Sequence, residues 1–195
     1  MAKIFGILIG AILVNNYIFA RFLGLCPFFG VTTKTETSIG MGLAVTFVVV
    51  VASIVTWIIQ YQVLERFNIE YLQTIVFILV IASLVQFVEM ALKKLSPSLY
   101  TAMGIFLPLI TTNCMVLGVA VLNITEGYNL IETIVNSLGA ALGFFLALML
   151  LSTLREQLEI HDVPKSLRGV PISYIASGLM ALAFTGFAGI TSALM

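Results

Sequence analysis

Charge is what this 195-residue chain has least of: nine basic and nine acidic residues, 9% of the total. A soluble domain carries about a quarter of its residues as charges. The scarcity therefore excludes a water-soluble globular fold. Net charge is zero and so points to neither acidic nor basic partners; no nucleic-acid partner is expected. Histidine occurs once. His161 sits with Asp162, Glu156, Glu159 and Lys165 in a charged stretch that reads as a solvated loop, not a metal site. No glycine-rich dinucleotide fingerprint follows a strand-like run. The links between apolar runs are too short to house a flavin domain.

What is present is apolar length. Hydrophobic residues make up 61% of the chain and mean hydropathy is +1.14. Six stretches approach the roughly 20 residues that span a bilayer: Ile4–Val31, Gly40–Ile59, Tyr71–Leu92, Leu99–Ile124, Leu130–Leu154 and Pro171–Leu194. The first has no small-residue cleavage site and one lysine before it, so it reads as a span, not a signal peptide. The expectation is an all-α, multi-pass membrane protein, with residues 1–195 forming a single integral membrane domain.

With six spans, Lys3 and Arg66 fall on one side and Lys34, Lys93, Lys94, Arg155, Lys165 and Arg168 on the other. Short loops rich in Lys and Arg stay in the cytoplasm. Both termini are therefore expected outside. Trp57, Tyr61, Tyr71 and Tyr128 fall at the expected outer boundary, where amphipathic rings settle.

Two segments look like copies. Phe22-Leu23-Gly24-Leu25-Cys26-Pro27-Phe28-Phe29-Gly30-Val31 is matched by a run from Phe106-Leu107-Pro108-Leu109 to Cys114-Met115-Val116-Leu117-Gly118-Val119. Each begins Phe-Leu-x-Leu and ends Cys-x-x-x-Gly-Val. Downstream, Ser38-Ile39-Gly40-Met41-Gly42-Leu43 faces Ser137-Leu138-Gly139-Ala140-Ala141-Leu142-Gly143. The third spans match in hydropathy alone. Repeats of about 1–95 and 96–195 hold three spans each. An odd count inverts the second repeat and places sites near the midplane at the repeat interface. Chance similarity among glycine-containing apolar segments is the alternative.

Spans one and four are unlike the others. The first holds Asn15, Asn16, Arg21, Gly24 and Pro27; the fourth holds Gly104, Pro108 and Thr111-Thr112-Asn113. Proline removes a donor and clashes with the preceding turn, so a broken helix is expected in each. Broken helices at matched positions of two halves point to a central site; ordinary proline kinks are the plainer reading. The two cysteines, Cys26 and Cys114, occupy these stretches. Lone membrane cysteines are commonly inert packing, and a disulfide is a further option. Thr111-Thr112-Asn113 and amides freed at Pro27 offer donors to metal-bound sulfur. An iron–sulfur cluster takes four thiolates and this chain has two, so a second copy or another chain would have to supply the rest.

At these residues the chain resembles the RnfA family, membrane components of the Rnf ferredoxin:NAD+ oxidoreductase complex. A sister family is NqrE, of the sodium-pumping NADH:quinone reductase. The resemblance runs through Asn15-Asn16, Phe22–Phe28, Gly40-Met41-Gly42-Leu43, Gln86-Phe87-Val88-Glu89-Met90, Gly104–Cys114, Asp162-Val163-Pro164 and Ser177-Gly178-Leu179-Met180. Cys26-Pro27 and Thr112 look like the Rnf branch. The resemblance implies membership of an ion-translocating complex in the bacterial or archaeal cytoplasmic membrane. It implies a partner of similar fold and inverted orientation, RnfE, beside the other Rnf subunits and the lipid bilayer. It also implies a [2Fe–2S] cluster held by Cys26, Cys114 and two cysteines of that partner. The expected role is electron relay coupled to Na+ or H+ translocation. The alternatives are a non-redox transport or assembly component, or the sister-family protein.

Among other polar residues, Glu89 is a candidate for the ion path because intramembrane carboxylates are costly; pairing with Lys93 one turn on is its plainer reading. Arg21 either balances charge at the site or snorkels to the interface. Asn15 and Asn16 are expected to bond between helices.

Overall fold

The computed structural model describes residues 2–95, 107–164 and 166–187, and every regular element among them is helical. Helix α1, Ala2–Ile9, runs on through a π turn, Gly10–Val14. The chain then leaves helical geometry until α2, Leu25–Val31. Helix α3, Thr35–Ile59, continues through a second π turn, Gln60–Leu64, and a last turn, Glu65–Phe67. A 3-10 turn, Glu70–Leu72, leads into α4, Gln73–Leu95. The second half holds α5, Leu107–Thr111; α6, Cys114–Thr125; α7, Leu130–Ile160; and α8, Val170–Thr185.

By length and composition, four stretches can cross a bilayer: Thr35–Phe67, Glu70–Met90, Pro108–Thr125 and Leu130–Ile160. Ile4–Val14 and Val170–Thr185 are apolar but shorter. This is an all-α membrane architecture. Lys165, Gly104, Phe106 and residues 188–194 of the sixth stretch lie outside the described residues. Helices α3 and α7 outrun the 40–59 and 130–154 stretches read from hydropathy. Extending an existing helix costs far less than starting one, so polar ends such as Thr35-Glu36-Thr37 and Arg155-Glu156-Gln157 stay helical.

The ends are set locally. Asn129 and Glu132 form a reciprocal capping box that starts α7. Gly169 at φ 93° and Pro171 in the first turn start α8. At the end of the bundle where α7 starts, Trp57 packs on Tyr61 at 4.6 Å and donates its Nε1 hydrogen to the Tyr128 carbonyl at 3.0 Å. Three of the four expected boundary aromatics thus meet.

The core is the seam between α3 and α7. Met41, Val45, Val48 and Ala52 face Ala140, Phe144, Ala147, Leu148 and Leu151, all fully buried. Their three- and four-residue spacing makes one stripe on each helix. Lipid gives apolar helices no hydrophobic reason to associate, so close van der Waals approach has to hold them. Gly143 supplies it where the first segment crosses α7: a Cβ there would lie 3.0 Å from the Ile12 carbonyl oxygen of the π turn. The remaining packing is reciprocal. The α1 segment lies on α7, whereas α6 lies on α3; α4 flanks α5 and α6, and α8 flanks the α1 π turn. Outward faces are apolar, as at Ile75, Leu79, Phe87, Leu179 and Leu182, which suits a lipid solvent.

Candidate functional site

Both expected breaks are present, but the prolines do not make them. Pro27 is the third residue of α2 and Pro108 the second of α5. The first-turn amides of a helix have no intrahelical acceptor, so a proline there costs nothing. The first break lies upstream, over residues 15–24. It ends in two left-handed residues, Phe22 at φ 55° and Gly24 at φ 84°, which re-aim the chain into α2. The second lies at Thr112-Asn113, where Asn113 is extended at ψ 109°.

The same device closes each break. Asn16 Oδ1 accepts the Ile18 amide at 3.0 Å, and Asn113 Oδ1 accepts the Met115 amide at 3.0 Å. These side chains replace the acceptors that a continuous helix would have provided. Asn16 Nδ2 also donates to the Gly143 carbonyl on α7 at 2.9 Å, so the expected bond between helices is made by Asn16; Asn15 is exposed. Asn113 is 4% exposed, and its Nδ2 has no partner. Because Oδ1 is committed to Met115, the unpaired group is a donor.

The breaks meet. The Gly24 amide donates to Cys114 Sγ at 3.0 Å. A Cβ on Gly24 would approach Phe144 Cε2 to 2.9 Å, Met115 Cβ to 3.2 Å and Asn113 Oδ1 to 3.5 Å. Cys26 is two residues further on, so its Cα lies within about 7.6 Å of the Gly24 Cα. Both cysteines are reduced and exposed. Among the described residues no three His, Cys, Asp or Glu side chains gather to hold a metal ion. The chain offers two exposed thiols on the two segments that meet at Gly24. Such a pair could hold one half of a soft-metal centre.

The sequence pattern of the family described as "Rnf-Nqr subunit, membrane protein" matches residues 4–191. The chain belongs to the Rnf-Nqr subunit family. It is 60% identical over 190 residues to the A-type component of the "Ion-translocating oxidoreductase complex" of Syntrophotalea carbinolica, covering 97% of this chain and 98% of that relative. It is 59% identical over 183 residues to the A-type component of the "Na(+)-translocating ferredoxin:NAD(+) oxidoreductase complex" of Acetobacterium woodii, covering 94% and 95%. The corresponding component from Vibrio cholerae is 55% identical over 184 residues, covering 94% and 95%.

In this Rnf-Nqr protein the other candidates sit apart from the cysteine pair in role. Glu89 is half-buried on α4, between exposed Phe87 and Met90. That helix is peripheral: its apolar window is 17% buried, against 56% for α7. Arg21 is exposed, with its guanidinium 5.8 Å from the Tyr17 ring centroid. His161 and Asp162 are exposed just past α7. Sequence reasoning missed Arg155. Placed by hydropathy in a loop, it is half-buried and donates to the Phe29 carbonyl and to Thr32 Oγ1. A basic residue at the polar end of an apolar run carries no signal that separates these two roles.

Proposed function

We propose that this chain is the RnfA-type membrane component of an Rnf ferredoxin:NAD+ oxidoreductase complex. In this reading it relays electrons and couples the relay to Na+ or H+ translocation. Cys26 and Cys114 supply two of the four thiolates of a [2Fe–2S] cluster, and a homologous chain in inverted orientation, RnfE, supplies the other two. The observation that supports the reading is the contact of two separate breaks, with the Gly24 amide on Cys114 sulfur at 3.0 Å, Cys26 two residues beyond Gly24, and both cysteines exposed.

The residues fit such a group. Exposure leaves room for a partner's ligands, and reduced thiols are available to iron. When bound, the cluster supplies a one-electron carrier. This chain holds iron through its two sulfurs and donates the Gly24 N–H to one of them. Backbone donors to sulfur tune the potential of such centres. Asn113 Nδ2 is a second donor, buried and uncommitted beside Cys114. The names of the relatives at 59–60% identity support the complex and the A position in it.

The reciprocal packing of each broken span on the central helix of the other half supports two inverted repeats, about 1–95 and 96–195. The bias of basic residues supports cytoplasmic-membrane insertion with both termini outside. Glu89 is the candidate for the ion path.

The test is electron paramagnetic resonance and iron content of the purified complex. Cys26→Ser and Cys114→Ser should each abolish the intramembrane iron signal and electron throughput while the chain still inserts. Two single variants with wild-type iron and turnover would refute the relay and leave a non-redox transport role.

A further inference from the structure

We infer that Arg155 is a positioning residue for Cys26: it ties the short helix that carries this cysteine in its first turn to the end of α7. The inference rests on reading Cys26 as an iron ligand.

Helix α2 has seven residues, far fewer than the 12 to 15 or so at which an isolated helix becomes even marginally stable. It is entered through left-handed residues and does not continue α1. Something outside it must hold it. Buried Phe28 and Val31 fix its inner face, and Phe29 stacks on Tyr174 of α8 at 4.1 Å. Its closing turn is held by charge. Arg155 Nη1 donates to the Phe29 carbonyl at 2.9 Å and to Thr32 Oγ1 at 3.0 Å. Thr32 in turn donates its hydroxyl hydrogen to the Phe28 carbonyl at 2.6 Å. The last carbonyls of a helix have no intrahelical donor; here one guanidinium and one hydroxyl serve two of those at the end of α2.

The next residue on α7 does the converse. Glu156 accepts the Thr35 amide at 2.8 Å and the Thr35 hydroxyl at 2.6 Å, and so caps the start of α3. Adjacent residues of opposite sign therefore grip both ends of the 32–34 connection. The cation is at a carbonyl end and the carboxylate at an amide end, as the partial charges of helix ends favour. Glu156 is exposed and Arg155 half-buried, so water weakens the first hold more than the second. Phe29 is three residues from Cys26, about 4.5 Å along the axis. A rigid turn of helix passes any shift at Arg155 directly to the sulfur.

The test uses the intact complex carrying Arg155→Gln, Arg155→Lys or Cys26→Ser. The readouts are iron content, the paramagnetic signal with its midpoint potential, and hydrogen exchange of the full chain. Arg155→Gln should keep iron, shift the signal, and speed amide exchange in residues 28–32 about tenfold, on the scale of one lost charged hydrogen bond; residues 115–125 should exchange as before. Arg155→Lys keeps the charge without the planar fork and should fall between. Wild-type exchange and signal in Arg155→Gln, with iron lost in Cys26→Ser, would overturn the inference alone. Should Arg155→Gln fail to assemble, a wild-type signal and exchange in Arg155→Lys would overturn it. Full iron in Cys26→Ser would remove the underlying ligand reading and this one with it.

Discussion

Gly24→Ala is the most informative single perturbation, because two costs can be worked out and separated. At φ 84° an alanine incurs the left-handed penalty of about 1–2 kcal/mol. Its Cβ would also stand 2.9 Å from Phe144 Cε2 and 3.2 Å from Met115 Cβ. Phe144 is fully buried on α7, so its ring has no solvent to move into. Overpacking of this kind costs about 1–3 kcal/mol. The total is about 2–5 kcal/mol, and relief of the clash must move the Gly24 amide that sits on Cys114 sulfur. Gly127→Ala is the control. It is also left-handed, at φ 65°, with nothing within 4 Å of a new Cβ, so only about 1–2 kcal/mol applies. The assay is reversible denaturant unfolding of the purified chain in mixed micelles, followed at Trp57, together with the paramagnetic spectrum of the complex. Equal destabilisation by the two variants, with an unaltered spectrum in Gly24→Ala, would refute the close meeting of the two breaks.

In the iron-free chain, Cys114→Ser should be milder than Cys114→Ala. Serine keeps an acceptor for the Gly24 amide, whereas alanine orphans it at a cost of about 1–3 kcal/mol; identical unfolding midpoints would argue against that bond. Glu89→Gln should weaken ion-dependent stimulation of the complex without changing iron content, and a Glu89→Gln, Lys93→Gln double variant that transports like wild type would remove Glu89 from the path. Cysteines introduced for labelling at Lys94 and at Gly127 should react from the cytoplasmic and outer faces respectively. A Lys94 position that labels from outside would reverse the topology.

Hydropathy made the membrane class and the run of helices legible, because long apolar stretches have few other solutions. The breaks were legible too, through polar Asn and Thr set close to Gly and Pro inside two apolar spans. Their positions were not. Pro27 and Pro108 drew attention to themselves, yet each occupies a first turn that tolerates it. The turning is done by Gly24 and by Phe22, whose left-handed φ no propensity scale would assign to a phenylalanine. Helix lengths at Thr35 and Arg155 escaped as well. Hydropathy reads where lipid ends, and these helices run past it, with the start of α3 capped by Glu156 of α7.

The accounting of backbone donors links the fold to the site. A break within an apolar span leaves amides without their usual acceptors, and lipid offers none. Asn16 and Asn113 each satisfy one. The Gly24 amide goes to Cys114 sulfur instead. A neutral thiol is a weak acceptor, so this closure is the least secure of the three while the sulfur is protonated. Iron binding takes a thiolate, which accepts the same hydrogen bond more strongly. Loading the pair would then tighten the contact that joins the two breaks. Part of the binding energy would go into the fold, at the Gly24–Cys114 contact between the two halves of the chain.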